Sequence, residues 1–309
     1  TASEGLSGAF SIPSVTVTSP TVLTNNGTLT ITTALAGTGG LTNAGTGTLN
    51  INFTGAPGIA ALTATASSNT VNYGFAGTQT VFNTNYYNLT LSNTSAKTMT
   101  SVTTIGGNLT ISGSATMTAN AALTVTGALN YSSSGSTTLT ASTAVSIGTL
   151  NQTAGTLVDN GNTITVTGTG ASTWVESGAF TATGTVLFTG AAPQIGASNF
   201  NNLSTSGTGN ATTAGALTIG GNLSVGDGTT FTAAGFALTV TGTTTVGTGT
   251  SGNLTISSAT GAKLFTGLVT INAGGTWNNS GNSAVEFRGG ITNNAVVGNF
   301  TAGTGVYSF

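Results

Sequence analysis

Thr104-Ile105-Gly106-Gly107-Asn108-Leu109-Thr110-Ile111 contains, in one short stretch, the pattern that decides the fold. Leu109 and Ile111 fall on one face of an extended chain, Asn108 and Thr110 on the other, which is the period-two alternation of a half-buried strand. Gly106-Gly107 before them is a turn signal. The same letters return further along as Thr218-Ile219-Gly220-Gly221-Asn222-Leu223. At the same offset Asn85-Tyr86-Tyr87-Asn88-Leu89 matches Asn199-Phe200-Asn201-Asn202-Leu203. One position beyond that offset, Ala122-Leu123-Thr124-Val125-Thr126-Gly127 matches Ala237-Leu238-Thr239-Val240-Thr241-Gly242. The leucines between keep step. Leu89, Leu109, Leu123 and Leu139 are set out as one long step and two shorter ones, and so are Leu203, Leu223, Leu238 and Leu254. Shared composition alone would not keep that order of spacings, so the chain carries an internal duplication.

The alternation recurs at Thr28-Leu29-Thr30-Ile31, Thr163-Ile164-Thr165-Val166 and Asn253-Leu254-Thr255-Ile256. Gly occurs 48 times and β-branched residues crowd most windows, which disfavours helix throughout. Strand motifs return at short steps, such as Leu89 to Leu109 and Leu109 to Leu123. A unit that short cannot bury its own apolar face and must stack on its neighbours. The expected fold is therefore all-β, a β-solenoid (parallel β-helix) with leucines laddered inside and about 17 rungs at ~18 residues each. An array of β-sandwich domains is the alternative; it would use hairpins and longer, more even strands.

Composition narrows the class. Only 3% of the 309 residues are charged, against about 25% in ordinary domains. His and Cys are absent, which excludes a disulfide framework, a thiolate metal site and a hydrolytic triad of the usual form. A net charge of -2 offers no basic face to nucleic acid. Thr, Ser or Asn interrupts every apolar stretch, so no membrane span is expected. Disorder fits badly with 38% hydrophobic residues set in a pattern.

Three motifs carry a family likeness: Val186-x-Phe188-x-Gly190, Asn199-Phe200-x-Asn202-Leu203 and Ile105-Gly106-Gly107-Asn108-Leu109-Thr110. Together they resemble the repeats of large bacterial cell-surface and secreted β-solenoids, adhesin-like and filamentous-haemagglutinin-like, over most of residues 71–309. The resemblance implies export, display at the cell surface, and a part in adhesion or in an extracellular fibre. The signal peptide is then expected to have been removed already.

No constellation for catalysis stands out. Asp159 and Glu176 lie about one rung apart and are read as isolated surface charges rather than an acid–base pair. Glu286 and Arg288 share a strand face and read as a surface ion pair. Gly247-Thr248-Gly249-Thr250-Ser251-Gly252 matches a dinucleotide fingerprint by letter, but a strand pattern follows it rather than a helix. Asp227 between two glycines reads as a turn, since one carboxylate cannot supply a calcium shell. Trp174, Trp277, Tyr86 and Phe200 read as core anchors. The sequons at Asn88, Asn108, Asn222 and Asn253 follow from composition. The chain is expected not to be an enzyme and to hold no cofactor or metal.

The repeat is expected to divide the chain into an N-terminal segment and partial repeat at 1–70, copies at 71–185 and 186–284, and the start of a third copy at 285–309. Val71, Val186 and Val285 open the copies. The stretches 285–309 and 1–70 together approach one copy in length. The expected function is a structural subunit of an extracellular filament, joining head to tail with copies of itself. The N-terminal segment would act as strand donor to a neighbour. The expected joint comprises Phe10, Ile12, Val15, Val17, Val22 and Leu23 at one end and Phe300, Val306, Tyr307 and Phe309 at the other. The alternative is the stalk or passenger of a surface adhesin, with glycans or host surfaces as its partners.

Overall fold

The structure is a computed structural model that describes residues 3–138, 144–207 and 209–309. It is all-β: strands pair in parallel, coil on coil, in a β-solenoid of about 15 turns. The one helical element among the described residues is a single 3-10 turn, Val297–Asn299. The chain forms two compact units, one of residues 1–147, 152–158 and 177–179, the other of 148–151, 159–176 and 180–309.

In the first unit the central ladder runs through Thr28–Asn43, Thr48–Ile51, Thr70–Tyr73, Asn88–Leu91, Leu109–Ile111 and Leu123–Tyr131. Register sets Leu29, Leu49, Val71, Leu89, Leu109 and Leu129 above one another, and all six are buried. Ile31, Ile51, Tyr73, Leu91, Ile111 and Tyr131 form the next inward column. Each buried leucine contributes roughly 2 kcal/mol of apolar burial. Between these columns the outward residues are Thr30, Asn50, Asn72, Thr90, Thr110 and Asn130, which water solvates without charge. A second track stacks Gln79–Val81, Thr94–Met99 and Ser114–Ala119. A third passes through Ala64, Tyr86 and Ile105.

The second unit repeats the plan in three tracks. Thr185–Phe188, Asn202–Thr205, Leu223–Val225, Thr244–Val246, Val269–Ile271 and Ile291–Asn293 form the first track. Pro193–Ile195, Asn210–Thr213, Thr230–Ala233, Asn253–Ile256, Thr276–Asn278 and Phe300–Thr301 form the second. Ser198–Phe200, Leu217–Ile219, Leu238–Val240, Lys263–Phe265, Val285–Phe287 and Tyr307–Ser308 form the third. The duplication is structural: Leu89 and Leu109 pair as Leu203 and Leu223 do, and Tyr86 precedes its strand as Phe200 does.

Stacking of the corners accounts for the Gly-Asn pairs at 107–108 and 221–222. Asn88 Oδ1 accepts the amide N–H of Asn108 one coil on, and Asn108 Oδ1 accepts that of Ala128. Asn202 and Asn222 do the same for Asn222 and Thr243. Each side chain lies where a Cβ at the glycine of the next coil would sit. Asn88 Oδ1 would be 2.5 Å from one at Gly107, and Asn202 Oδ1 2.5 Å from one at Gly221. Glycine is required at these corners because the carboxamide below occupies its side-chain space.

The structure revises three details. Coil length is uneven: the step from Thr185 to its partner Asn202 is short, and that from Leu238 to its partner Lys263 is long. Most coils exceed the expected length, so the chain makes fewer turns than the sequence suggested. The shorter leucine steps pass between tracks, since Leu109 pairs with Leu129 and Leu223 with Thr244; Leu139 lies outside the described residues. Val285 is not equivalent to Val186: it sits on the third track between Lys263 and Tyr307, whereas Val186 sits on the first beside Leu203. The Val-x-Phe-x-Gly pattern fits any inward-outward strand followed by a turn, so it marks strands rather than the phase of a copy.

Candidate functional site

Of the large apolar side chains left exposed among the described residues, Phe10, Val22, Val296, Val297, Val306 and Phe309 lie at or beside the first and last coils, while Phe236 and Leu268 lie between them. The first coil comprises Ser3–Leu6 and Ala9–Thr16, and among the described residues each pairs on one side only, with Val22–Asn25 and Thr28–Asn43. Residues 10–23 are thus folded onto their own chain, not held out as a free donor strand as the sequence suggested. The alternation seen in the segment is satisfied internally: Val15 and Val17 are buried, Ile12 and Leu23 half-buried, and Phe10 and Val22 exposed. A pocket of about 270 Å³ is lined by Val15, Thr16, Val17, Thr18, Thr21 and Leu23.

At the other end Ile291–Asn293, Phe300–Thr301 and Tyr307–Ser308 likewise pair on one side only among the described residues. Val306 is 73% exposed and Phe309 80%, with Phe300 and Tyr307 half-buried behind them. Tyr307 is fixed from inside: its hydroxyl donates to the Ala302 carbonyl and accepts from Asn279 Nδ2. Val296 and Val297, which the sequence reading did not single out, are also strongly exposed, at 70% and 92%. They flank and begin a 3-10 turn, so no strand alternation marked them.

The charged residues are structural. Asp159 is buried and accepts from Thr183 N, Thr183 Oγ1, Gly184 N and Gly161 N, stapling one coil to the next. Glu176 accepts from Ser198 Oγ and Trp174 Nε1; burial pushes its carboxyl up against those bonds. The two carboxylates therefore have separate partners and do not face each other as an acid–base pair. Asp227 lies under the Gly247–Gly252 loop and accepts from Thr248 Oγ1, Thr248 N and Ser251 N, which hold it well below the usual carboxylate range. The letter match to a nucleotide fingerprint is thus an Asp-binding loop. Glu286 and Arg288 form the expected exposed pair at 2.6 Å. Lys97 and Lys263 are buried, each donating to three oxygens: Phe75 O, Gly77 O and Gln79 Oε1 for the first, Phe236 O, Thr260 O and Gly261 O for the second. Nothing in the sequence marked them, because each occupies an inward strand position that normally takes an apolar residue.

Among the described residues no three His, Cys, Asp or Glu lie together as metal ligands, and no helix is long and apolar enough to cross a membrane. No family model, no curated protein and no solved structure matches the chain.

Proposed function

We propose that the chain is a structural subunit of an extracellular filament, joined head to tail through its end coils. The observation that carries this reading is the pair of one-sided strand edges with exposed apolar side chains beside them, Phe10 and Val22 at one end and Val306 and Phe309 at the other. The coil-to-coil strand pairings of the described residues are parallel, the kind such an edge can extend. A contact between two different ends does not close on itself and grows into an open fibre. Extracellular placement follows from the resemblance of the repeats to surface solenoids. A second reading, the stalk of a longer surface adhesin, is supported by the same edges, because further coils of one chain would continue them equally well.

The test is polymerisation of the purified chain, followed by light scattering and electron microscopy. Filaments are expected. A small fraction of Phe309→Lys subunits added to the native protein should shorten them, because such a subunit adds through its other end and then blocks growth. A chain that stays monomeric at all concentrations overturns the filament and leaves the stalk reading.

A further inference from the structure

We propose that the outer face of the third track in the second unit is a lateral docking surface for a second copy of this chain. One residue ahead of each paired strand of this track, register stacks Ala197, Ala216, Ala237, Ala262, Ala284 and Val306 in a single outward column. All six are exposed. On the first track the outward column reads Leu187, Ser204, Ser224, Thr245, Thr270 and Thr292, polar at five of its six positions. Thr on an outward strand face needs no partner, but a continuous apolar column does, since exposed apolar stripes mark contact surfaces. The column borders a groove of about 270 Å³ whose lining includes Ala262, Leu264, Ala284 and Val306 beside the polar Thr239 and Ser308.

Charge selects the occupant. The groove includes Glu286, and the Glu286–Arg288 pair is the only ion pair among the described residues. A second copy brings the same pair, and two copies related by a two-fold can exchange partners, each carboxylate reaching the other guanidinium. Such an interface is self-complementary, as an isologous contact must be. Small side chains also let two flat sheet faces approach closely. The column is about 24 Å long at the ~4.8 Å strand spacing and one small side chain wide. It falls well short of the ~800 Å² per partner that a stable dimer buries. Singly the contact is weak; repeated along aligned copies it accumulates. It would bundle fibres side by side; it shares only Val306 with the end coils, and Ala197, Ala216, Ala237, Ala262 and Ala284 lie on coils before the last, so it does not depend on end-to-end joining.

The chain has no cysteine, so Ala284→Cys introduces a single thiol. A short bismaleimide should crosslink Ala284→Cys into dimers about tenfold faster than Thr292→Cys, an exposed thiol on the first track. Equal rates overturn the proposal. Adding Glu286→Arg or Arg288→Glu to Ala284→Cys should slow crosslinking several-fold, because like charges then meet across the contact. Mixing the two charge variants should restore the rate and yield the mixed dimer, identified by mass. A mixture no faster than its components overturns the proposal. Circular dichroism of each variant should match the native chain, since exposed ion pairs contribute little to folding.

Discussion

Tyr86 and Phe200 occupy the same place in the duplicated repeat, yet the two units fill the space around them by opposite means. In the first unit the Tyr86 hydroxyl donates to the Phe82 carbonyl at 2.7 Å, which leaves Tyr73 to donate to Tyr86 at 3.2 Å, while Tyr73 accepts the Phe82 N–H. The same unit also holds buried amides. Asn25 donates to Asn43 Oδ1, Asn43 to the Gly47 and Thr70 carbonyls, and Gln79 to those of Ile51 and Phe53. In the second unit Phe200 meets Trp174, Phe180 and Phe188 at ring-centroid distances of 5.3, 6.3 and 6.5 Å. A further cluster joins Phe265, Trp277 and Phe287. One backbone ladder accepts either filling because stacked coils satisfy their own main-chain groups. The side chains need only fill volume and satisfy whatever polar atoms they bring.

The sharpest way to break this comparison is Trp174→Ala. Trp174 is fully buried among three phenylalanines, so truncation should cost about 3–5 kcal/mol by denaturant titration. A loss below about 1 kcal/mol would mean the rings are not the packing core of the second unit. The corner ladder should behave alike in both units. Gly107→Ala and Gly221→Ala each drive a methyl group into an asparagine carboxamide and should cost about 1–3 kcal/mol. Adding Asn88→Ala to Gly107→Ala should recover part of that loss, and strict additivity would refute the clash. The smallest packing effect distinguishes the two fillings. Tyr86→Phe leaves the Phe82 carbonyl and the Tyr73 hydroxyl short of a partner, and Phe200→Tyr puts a hydroxyl among rings. Each should cost on the order of 1 kcal/mol. A stabilising Tyr86→Phe would show that the hydroxyl circuit is dispensable.

Sequence carried the ladder because its cause is local. Alternation at Leu109 and Ile111 and glycine at 107 follow from strand geometry and corner space, and both are visible in one stretch of chain. The tracks were not legible, because which strand meets which depends on coil length. Loops of different size stretch the coil from the short Thr185–Asn202 step to the long Leu238–Lys263 step. That is why the spacing from Leu109 to Leu123 looked like a rung. The end residues were readable as apolar but not as buried or exposed: Val15 and Phe10 share an alternating segment, and only the pairing of 9–16 with 28–36 separates them. The alanine column was unreadable for the same reason. Its members fall a whole coil apart at uneven steps, as from Ala197 to Ala216 and from Ala237 to Ala262, and alanine carries no signal of its own. Of the three basic residues open to trypsin by sequence, only Arg288 is exposed, so brief digestion should cut after residue 288 and leave Lys97 and Lys263 intact.

Those lysines set the last test, which compares the units by pH. Lys97 lies in the first unit and Lys263 in the second, and burial lowers both ammonium groups, Lys97 to about 8 from 10.5. The three oxygens around each recover part of the hydration lost, and neither has a carboxylate among them. Between pH 8 and 10.5 the unfolded chain therefore binds more protons than the folded one, and stability rises with pH in that window. The tyrosines of the first unit work the other way: burial pushes Tyr73 up to about 12 and Tyr86 well above its usual value. Above about pH 10 the unfolded chain loses phenolic protons that the folded chain keeps, so the folded state binds more protons there and stability falls as pH rises. The first unit should then show a maximum near about pH 10 in its urea midpoint. The second, where phenylalanine stands in place of Tyr86, should keep most of its gain. Probes placed in each unit would separate the two curves. Lys97→Met should flatten the rise in the first unit alone, and a native profile that falls from about pH 8 to 10 would show that the carbonyl cages hold the ammonium more firmly than burial disfavours it.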